Sequence, residues 1–277
     1  MDCKKWAEKY EIDCRLKYNS RVTQDNYISQ VKSFLYHFVK AFREPKEIPT
    51  EEIKKWLLEK ESPNTRNHRL CSIKSFYELT VRMPVKLDKI PFSQKEKKLP
   101  IVLSVDEMQR MFIVCENKKH KVILALMYSS GLRVSEVINL KWAHIDRERK
   151  VINVIAGKGK KDRQTLLPDN LIKLLEEYFW EYKPKEYVLN GQFDLQYSAT
   201  SCLQVVKQLA KKAGINKRVW SHLIRHNAFT HLCEAGTDIG LIQRLAGHNS
   251  PKTTSIYLHL SHNTISKINS PLNNIAL

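Results

Sequence analysis

The chain has 277 residues, 42% of them hydrophobic, which is enough for one large domain or two moderate ones with separate cores. Its formal net charge of +18 indicates a polyanionic partner, with nucleic acid first and an anionic membrane second. The apolar run Val122–Met127 is too short to span a bilayer, and the charged N-terminus lacks the apolar core of a signal peptide, so we expect neither a membrane-spanning nor a secreted protein.

Positive charge is spread over the whole chain. Residues 1–100 carry 22 Lys and Arg against 14 Asp and Glu, a net +8, and residues 101–277 carry the remaining +10. Because the excess is not confined to one tail, we expect both parts of the molecule to face the polyanion. The six cysteines are scattered without a C-x-x-C pair, which is typical of free thiols and predicts a reducing, cytoplasmic location.

The first hundred residues have helical periodicity. Apolar residues from Tyr27 to Phe42 recur at three- and four-residue spacing, which predicts an amphipathic helix. The stretch "IPTEEIKKWLLEK" predicts a second helix capped by Thr50, and "SPNTRNHRLCSIKSFYELT" predicts a third with Pro63 in its first turn. We therefore expect a helical N-terminal domain over residues 1–88.

A break in the pattern separates this domain from the rest. Residues 83–100, "MPVKLDKIPFSQKEKKLP", contain three prolines and a charge run without sustained periodicity. We place a linker at 89–100 and a second domain at 101–277. Ser104 can cap the first helix of that domain, and "KVILALMYSSG" and "LRVSEVINLKW" predict two more.

One segment of the second domain has the signals of a β-hairpin. The β-branched run "VINVI" (151–155) and the return strand "QTLLP" (164–168) flank the glycine- and lysine-rich turn "AGKGKKDR". Helices are expected again from "NLIKLLEEYFWEY" to the end of the chain. The predicted fold class is mainly α with a small antiparallel β-sheet.

The segment "SHLIRHNAFTHL" places three histidines and Arg225 within ten positions. A metal ion shared by His222 and His226 would normally add a carboxylate, and Arg225 between them opposes a cation, so we expect no metal site. A phosphate fits better, because His222 and Arg225 lie three apart on one helix face and a guanidinium can bind two phosphate oxygens. An exposed polar helix face is the alternative.

The glycine-lysine turn fails the P-loop pattern, so no ATP or other cofactor is expected.

The C-terminal stretch "RLAGHNSPKTTSIYLHL" predicts two helices around a sharp turn. The first ends at Gly247, His248 lies in the turn, and Ser250 caps a second helix that begins at Pro251. Tyr257 follows two turns into the second helix. An ordinary half-buried aromatic residue is the alternative to a functional tyrosine at this position.

Four motifs, "SGLRVSEV", "GKGKKDR", "SHLIRHNAFTHL" and "LAGHNSPKTTSIYLHL", in that order and spacing, resemble those of the tyrosine recombinase (phage integrase, Xer-like) family. The resemblance covers essentially all of residues 101–277. A helical domain followed by a proline-broken linker is similar to that family's core-binding domain. Asn227 departs from the family pattern, where a small or hydroxyl residue is more usual, but it is not at a key position.

The resemblance implies roles for five residues of the catalytic domain. Tyr257 would be the nucleophile that attacks a DNA phosphodiester and forms a 3′-phosphotyrosyl link, which stores the bond energy without ATP. Arg133 and Arg225 would bind the non-bridging oxygens and stabilise the transition state. His222 would act as general base or positioning group, and His248 would donate a hydrogen bond to a phosphate oxygen.

Further residues follow from the same resemblance. Lys158, the first lysine of the hairpin turn, would by this resemblance protonate the leaving 5′-oxygen, while Lys160 or Lys161 could take that role on sequence grounds alone. Glu136, three residues after Arg133, would hold that guanidinium from behind. His226 and His231 would have supporting roles. The predicted DNA-binding residues are Lys160, Lys161 and Arg163.

The resemblance therefore implies a site-specific DNA recombinase that cleaves and rejoins duplex DNA, for integration, excision or dimer resolution. Strand exchange would need four protomers, and the tail at about 261–277 would dock on a neighbouring protomer. The expected partner is double-stranded DNA with a specific site, and the expected location is the cytoplasm, at the nucleoid. The alternatives are type IB topoisomerase-like DNA relaxation, a non-catalytic DNA-binding protein and a metallohydrolase.

Overall fold

The computed structural model describes residues 1–60, 62–94, 101–155, 162–191, 196–248 and 250–257. The chain divides into two compact units, Met1–Lys98 and Leu99–Leu277. In the part of the chain that is described, no helix is both long enough and apolar enough to cross a membrane.

The N-terminal unit is helical, as the sequence predicts. Its α-helices are α1 (Cys3–Lys17), α2 (Arg21–Phe38), α3 (Thr50–Leu58) and α4 (Pro63–Phe76), the last of which continues as a π-helical turn, Tyr77–Val81. Short 3-10 turns occur at Pro45–Glu47 and Pro84–Leu87. The predicted cap at Thr50 is wrong: Thr50 is the first helical residue and Pro49 precedes it as the N-cap.

Aromatic rings form the centre of the N-terminal core. Phe34 is fully buried and makes edge contacts with Trp56 and Phe76, at centroid distances of 5.2 and 6.4 Å. The Arg69 guanidinium lies 4.0 Å from the centre of the Trp56 ring and donates to the Trp56 carbonyl at 3.0 Å. This buried cation therefore has both a ring face and a carbonyl as partners.

The predicted linker overlaps with packed structure. Ile90 is only 6% exposed and belongs to the N-terminal core. Asn67 and Ser93 exchange two hydrogen bonds, of 2.8 and 2.9 Å, between the Asn67 amide and the Ser93 backbone. The prediction of a linker from residue 89 is therefore wrong at its start, because the packed part of this unit reaches at least Ser93. Residues 95–100 lie outside the described residues.

The second unit is mainly α-helical with a small sheet, which confirms the predicted class. Its elements are α5 (Val105–Ile113), α6 (Lys118–Ser129), α7 (Val134–Ile138), β1 (Ile145–Asp146), β2 (Val151–Val154), β3 (Arg163–Leu166), α8 (Asp169–Tyr182), α9 (Ala199–Lys212), α10 (Ser221–Glu234), α11 (Ile239–Ala246) and α12 (Pro251–Thr254). The strands pair antiparallel in the order β1-β2-β3, with Ile152 opposite Thr165. Ser104 caps α5 as predicted, in a capping box with Glu107.

Helix α6 is the centre of the second core. Every residue of its apolar run Val122–Met127 is buried. A smaller apolar cluster contains Phe229 of α10, Ile242 of α11 and Tyr257. This cluster joins α10 and α11 to the chain segment that carries the predicted nucleophile.

Candidate active site

Arg133 is placed by a tight turn after α6. Gly131 has a φ of +59°, which favours glycine, and Arg133 follows as the N-cap of α7. Glu136 accepts hydrogen bonds from the Arg133 backbone N–H and from its Nη1, each at 2.8 Å. The predicted pairing of these two residues is therefore present, in the form of a helix cap.

Arg225 lies on α10 and is 1% exposed. Its Nη1 donates to the Gly131 carbonyl and its Nη2 to the Ala246 carbonyl at the end of α11. Arg133 Nη2 also donates to the Ala246 carbonyl, at 3.4 Å. The two predicted phosphate ligands, which are 92 positions apart in the sequence, therefore meet at one carbonyl oxygen.

The electrostatics of this cluster favour an added anion. Burial acts to raise the pKa of Glu136, but hydrogen bonds from Arg163 and Arg133 outweigh it and lower the pKa to about 2. Burial and the neighbouring Arg133 lower the pKa of the Arg225 guanidinium. Three guanidiniums around one carboxylate leave an excess of positive charge, which a phosphate group would compensate.

Two histidines on α10 connect Arg225 to Tyr257. The rings of His222 and His226 meet edge to face at 4.6 Å, and His226 Nδ1 lies 3.1 Å from the Tyr257 hydroxyl. Burial, followed by the charges of Arg225 and Arg133, lowers the pKa of His222. Burial, followed by His222 and Arg225, lowers the pKa of His226 to about 4. Both rings are therefore neutral at neutral pH.

His248 follows the C-terminal turn of α11, as predicted. Gly247 has a φ of +60°, and His248 Nδ1 lies 3.0 Å from the Thr254 hydroxyl. Burial lowers the pKa of His248 to about 4, with Arg225 and Arg133 contributing. If the Thr254 hydroxyl donates to Nδ1, the neutral ring carries its proton on Nε2, where it can donate to a phosphate oxygen. Sequence reasoning missed Thr254, whose only signal is its place on the helix that His248 precedes.

Arg163 is placed differently from the prediction of a DNA contact. Its side chain is 8% exposed, and its guanidinium pairs with both carboxylate oxygens of Glu136 at 2.8 Å. Its Nε donates to the Leu245 carbonyl at 2.8 Å. The guanidinium is thus directed into the protein by a carboxylate that is 14% exposed and by a helix-end carbonyl. The identity of the residue alone did not predict these partners, because they lie 27 and 82 positions away.

Other predicted residues fall outside the cluster or outside the described chain. His231 binds the Tyr128 hydroxyl at 2.7 Å and the Leu103 carbonyl at 2.9 Å, so it supports the packing of α10. Asn227 is fully buried and accepts from the Leu103 N–H at 3.1 Å, which gives its amide a structural role. The residues Lys158, Lys160 and Lys161 and the tail 258–277 lie outside the described residues.

An open cleft of about 1210 Å³ runs beside the cluster, within the second unit. Arg133, Arg163 and His248 lie on its wall together with residues of β2, β3 and α11. Among the described residues, no three His, Cys, Asp or Glu side chains form a group that could hold a metal ion. The cleft thus gives a large polyanion access to Arg133 and His248.

The second unit thus combines a cluster of three guanidiniums around Glu136 with a tyrosine hydroxyl that lies beside His226. The phage integrase family model matches residues 102–264, and the phage integrase N-terminal SAM-like domain matches residues 6–87. The chain therefore belongs to the phage integrase family and is a tyrosine-type site-specific recombinase.

Individual relatives agree with this assignment. The chain is 34% identical to the putative integrase/recombinase y4qK of Sinorhizobium fredii, over 95% of this chain and 87% of the relative. It is 30% identical to a tyrosine recombinase of Pseudothermotoga lettingae, over 84% of this chain and 86% of the relative. A crystal structure of a lambda integrase tetramer bound to a Holliday junction has the same fold, with a TM-score of 0.77 and 17% identity over 96% of this chain and 80% of that one.

Proposed function

We propose that Tyr257 is the nucleophile of this recombinase and that Arg133 and Arg225 bind the scissile phosphate. The observation that carries the proposal is the meeting of both guanidiniums at the Ala246 carbonyl, ahead of the turn that leads to Tyr257. In the cleavage step the Tyr257 oxygen bonds to phosphorus, and the bond from phosphorus to the 5′-oxygen breaks. Religation is the reverse attack by a 5′-hydroxyl, so bond energy is kept in the phosphotyrosyl link.

Three further residues complete the proposed chemistry. His222, neutral beside Arg225, acts as general base or positions the phosphate. His248 donates from Nε2 to a phosphate oxygen, in the orientation that Thr254 holds. Lys158 supplies the proton that the leaving 5′-oxygen takes up; this assignment rests on the resemblance of its motif.

We propose double-stranded DNA with a specific recombination site as the partner, gripped by both basic units, with Lys160 and Lys161 contacting it. The net charges of +8 and +10 in the two parts of the chain support this. By analogy with the lambda integrase tetramer on a Holliday junction, four protomers assemble. The docking of the tail 261–277 on a neighbour follows from the family resemblance of the sequence. The enzyme then acts on DNA in the cytoplasm, at the nucleoid.

The test is a suicide DNA substrate, nicked so that the 5′-hydroxyl diffuses away after cleavage. We expect the wild-type protein to form a covalent adduct whose linked peptide contains Tyr257, and Tyr257→Phe to bind the DNA without forming it. Adduct formation by Tyr257→Phe, or a linked peptide elsewhere, would overturn the proposal. Relaxation of a plasmid without a recombination site would instead favour the topoisomerase-like alternative.

A further inference from the structure

We propose that Arg163 is a positioning residue of this active site rather than a DNA contact. From strand β3 it fixes Glu136 and the last turn of α11, and these two acceptors orient Arg133 and Arg225. The inference rests on the proposed function, since it takes those two arginines as the ligands of the scissile phosphate.

The contacts of Arg163 leave its guanidinium directed inwards. Nη1 and Nη2 pair with Oε1 and Oε2 of Glu136, each at 2.8 Å, in the bidentate geometry that is the strongest for this pair. Nε donates to the Leu245 carbonyl at 2.8 Å. All three nitrogens therefore donate within the protein, and the side chain is 8% exposed.

The same acceptors hold the phosphate-binding arginines. Oε1 of Glu136 also accepts from Arg133 Nη1 at 2.8 Å, and Oε2 lies 3.8 Å from Arg225 Nη1. Leu245, which Arg163 binds, directly precedes Ala246, whose carbonyl accepts from both Arg133 and Arg225. Arg163 thus fixes the carboxylate and the helix end against which both guanidiniums are oriented.

Close packing fixes Arg163 from the other side. A Cβ atom on Gly247 would lie 2.7 Å from the Arg163 Cδ, so the guanidinium stem rests directly on the turn that ends α11. Gly247 has a φ of +60°, and His248 follows it. The position of Arg163 is therefore coupled to the turn that carries a third proposed phosphate ligand.

The charge balance explains why a third cation belongs here. Glu136 alone could draw Arg133 and Arg225 towards itself and away from a phosphate. A bidentate partner shares both carboxylate oxygens with Arg133, so the single negative charge is divided among three guanidiniums and the cluster keeps a net positive charge for an incoming phosphate. Without Arg163 we expect the arginines to be misplaced while the DNA-binding surface stays the same.

The experiment separates binding from chemistry with Arg163→Gln and Arg163→Lys. DNA affinity is measured at several salt concentrations, and the single-turnover rate of adduct formation is measured at saturating suicide substrate. We expect Arg163→Gln to lower the rate about 10- to 100-fold, because a misplacement of the phosphate ligands by about 1 Å costs on the order of 100-fold, with Kd and its salt dependence unchanged. Arg163→Lys, which keeps one charged donor, should recover part of the rate. A raised Kd with a salt slope reduced by about one would instead identify a DNA contact and overturn the proposal.

A double-mutant cycle tests whether Arg163 affects the cleavage rate through Glu136. If Arg163 acts through Glu136, Arg163→Gln should change the rate little in a Glu136→Gln background; additive losses would contradict the proposal. Arg149→Gln, on a side chain that is 78% exposed, is the matched control and should leave the rate unchanged. If thermal unfolding shows that Arg163→Gln does not fold, DNA affinity and the rate of adduct formation are both measured on Arg163→Lys instead.

Two results distinguish failure of this inference from failure of the proposed function. A wild-type adduct that Tyr257→Phe abolishes establishes the nucleophile independently of Arg163. A wild-type rate retained by Arg163→Gln then counts against the positioning role alone.

Discussion

His226 Nδ1 lies 3.1 Å from the hydroxyl oxygen of Tyr257, which is 1% exposed. Burial raises the pKa of the tyrosine, although Arg225 and Arg133 oppose the shift. Because the pKa of His226 is lowered to about 4, a neutral imidazole faces a protonated phenol at neutral pH. The proposed nucleophile is therefore held by a hydrogen bond to a partner that is poorly suited to take its proton, and attack on DNA requires its hydroxyl to become exposed.

The His226–Tyr257 contact predicts a specific pattern of stability. His226→Leu leaves a buried hydroxyl without its hydrogen-bond partner, so we expect the free energy of unfolding to fall by about 1–3 kcal/mol in addition to any packing loss. In a Tyr257→Phe background the same substitution should cost less, because both polar partners are then absent. Urea denaturation of the two single variants and the double variant measures the difference. Equal costs in both backgrounds would show that the contact does not stabilise the fold.

The lowered pKa of His222 predicts how cleavage depends on pH. If the neutral ring is the working form, activity persists as pH falls until the ring is protonated, and burial and Arg225 move that point below the usual value of 6.5. We therefore expect kcat/KM for adduct formation to fall to half of its plateau value only below pH 6.5. The profile is measured on the suicide substrate at constant ionic strength. A fall already complete at pH 6.5 would count against a neutral His222.

Alanine substitutions at two glycines test whether close packing against Arg163 matters at the turn that ends α11. Gly247 and Gly214 have φ values of +60° and +65°. Alanine in this left-handed backbone conformation destabilises the fold by about 1–2 kcal/mol at either position. At Gly247 the new Cβ also meets Arg163, whereas nothing lies within 4 Å of a Cβ at Gly214. We expect Gly247→Ala to lower both the melting temperature and the cleavage rate more than Gly214→Ala does. Matching losses in the two variants would show that Arg163 moves aside at little cost.

The sequence predicted those features that short-range patterns determine. The hairpin strands β2 and β3, the Ser104 cap and the turn at Gly247 depend on residues a few positions apart, and they are confirmed. The two-residue strand β1 was missed, since it is too short to have a periodicity.

Long-range contacts account for what could not be predicted from the sequence. The family motifs select Arg133, Arg225, His248 and Tyr257, but not the carbonyl at which the two arginines meet. The orientation of Arg163 depends on a carboxylate and a helix end that are distant in sequence. The sequence predicts a linker at Ile90 because the neighbouring residues are charged and proline-rich, whereas Ile90 is buried by its packing in the N-terminal core.

The lowered pKa of Glu136 predicts that protonation of this carboxylate contributes to acid denaturation. Its pKa is about 2 in the folded chain against an ordinary value of 4.5, so the unfolded state binds the proton more readily between these values. The corresponding stability is fully present above pH 4.5 and is lost as pH falls towards 2, with a loss of about 2 kcal/mol by pH 3. Glu136→Gln has no such proton to bind. In urea denaturation at pH 6 and pH 3, the variant should therefore lose about 2 kcal/mol less than the wild type, while the other carboxylates titrate alike in both. Identical losses would mean that Arg163 and Arg133 do not hold this carboxylate in its charged form.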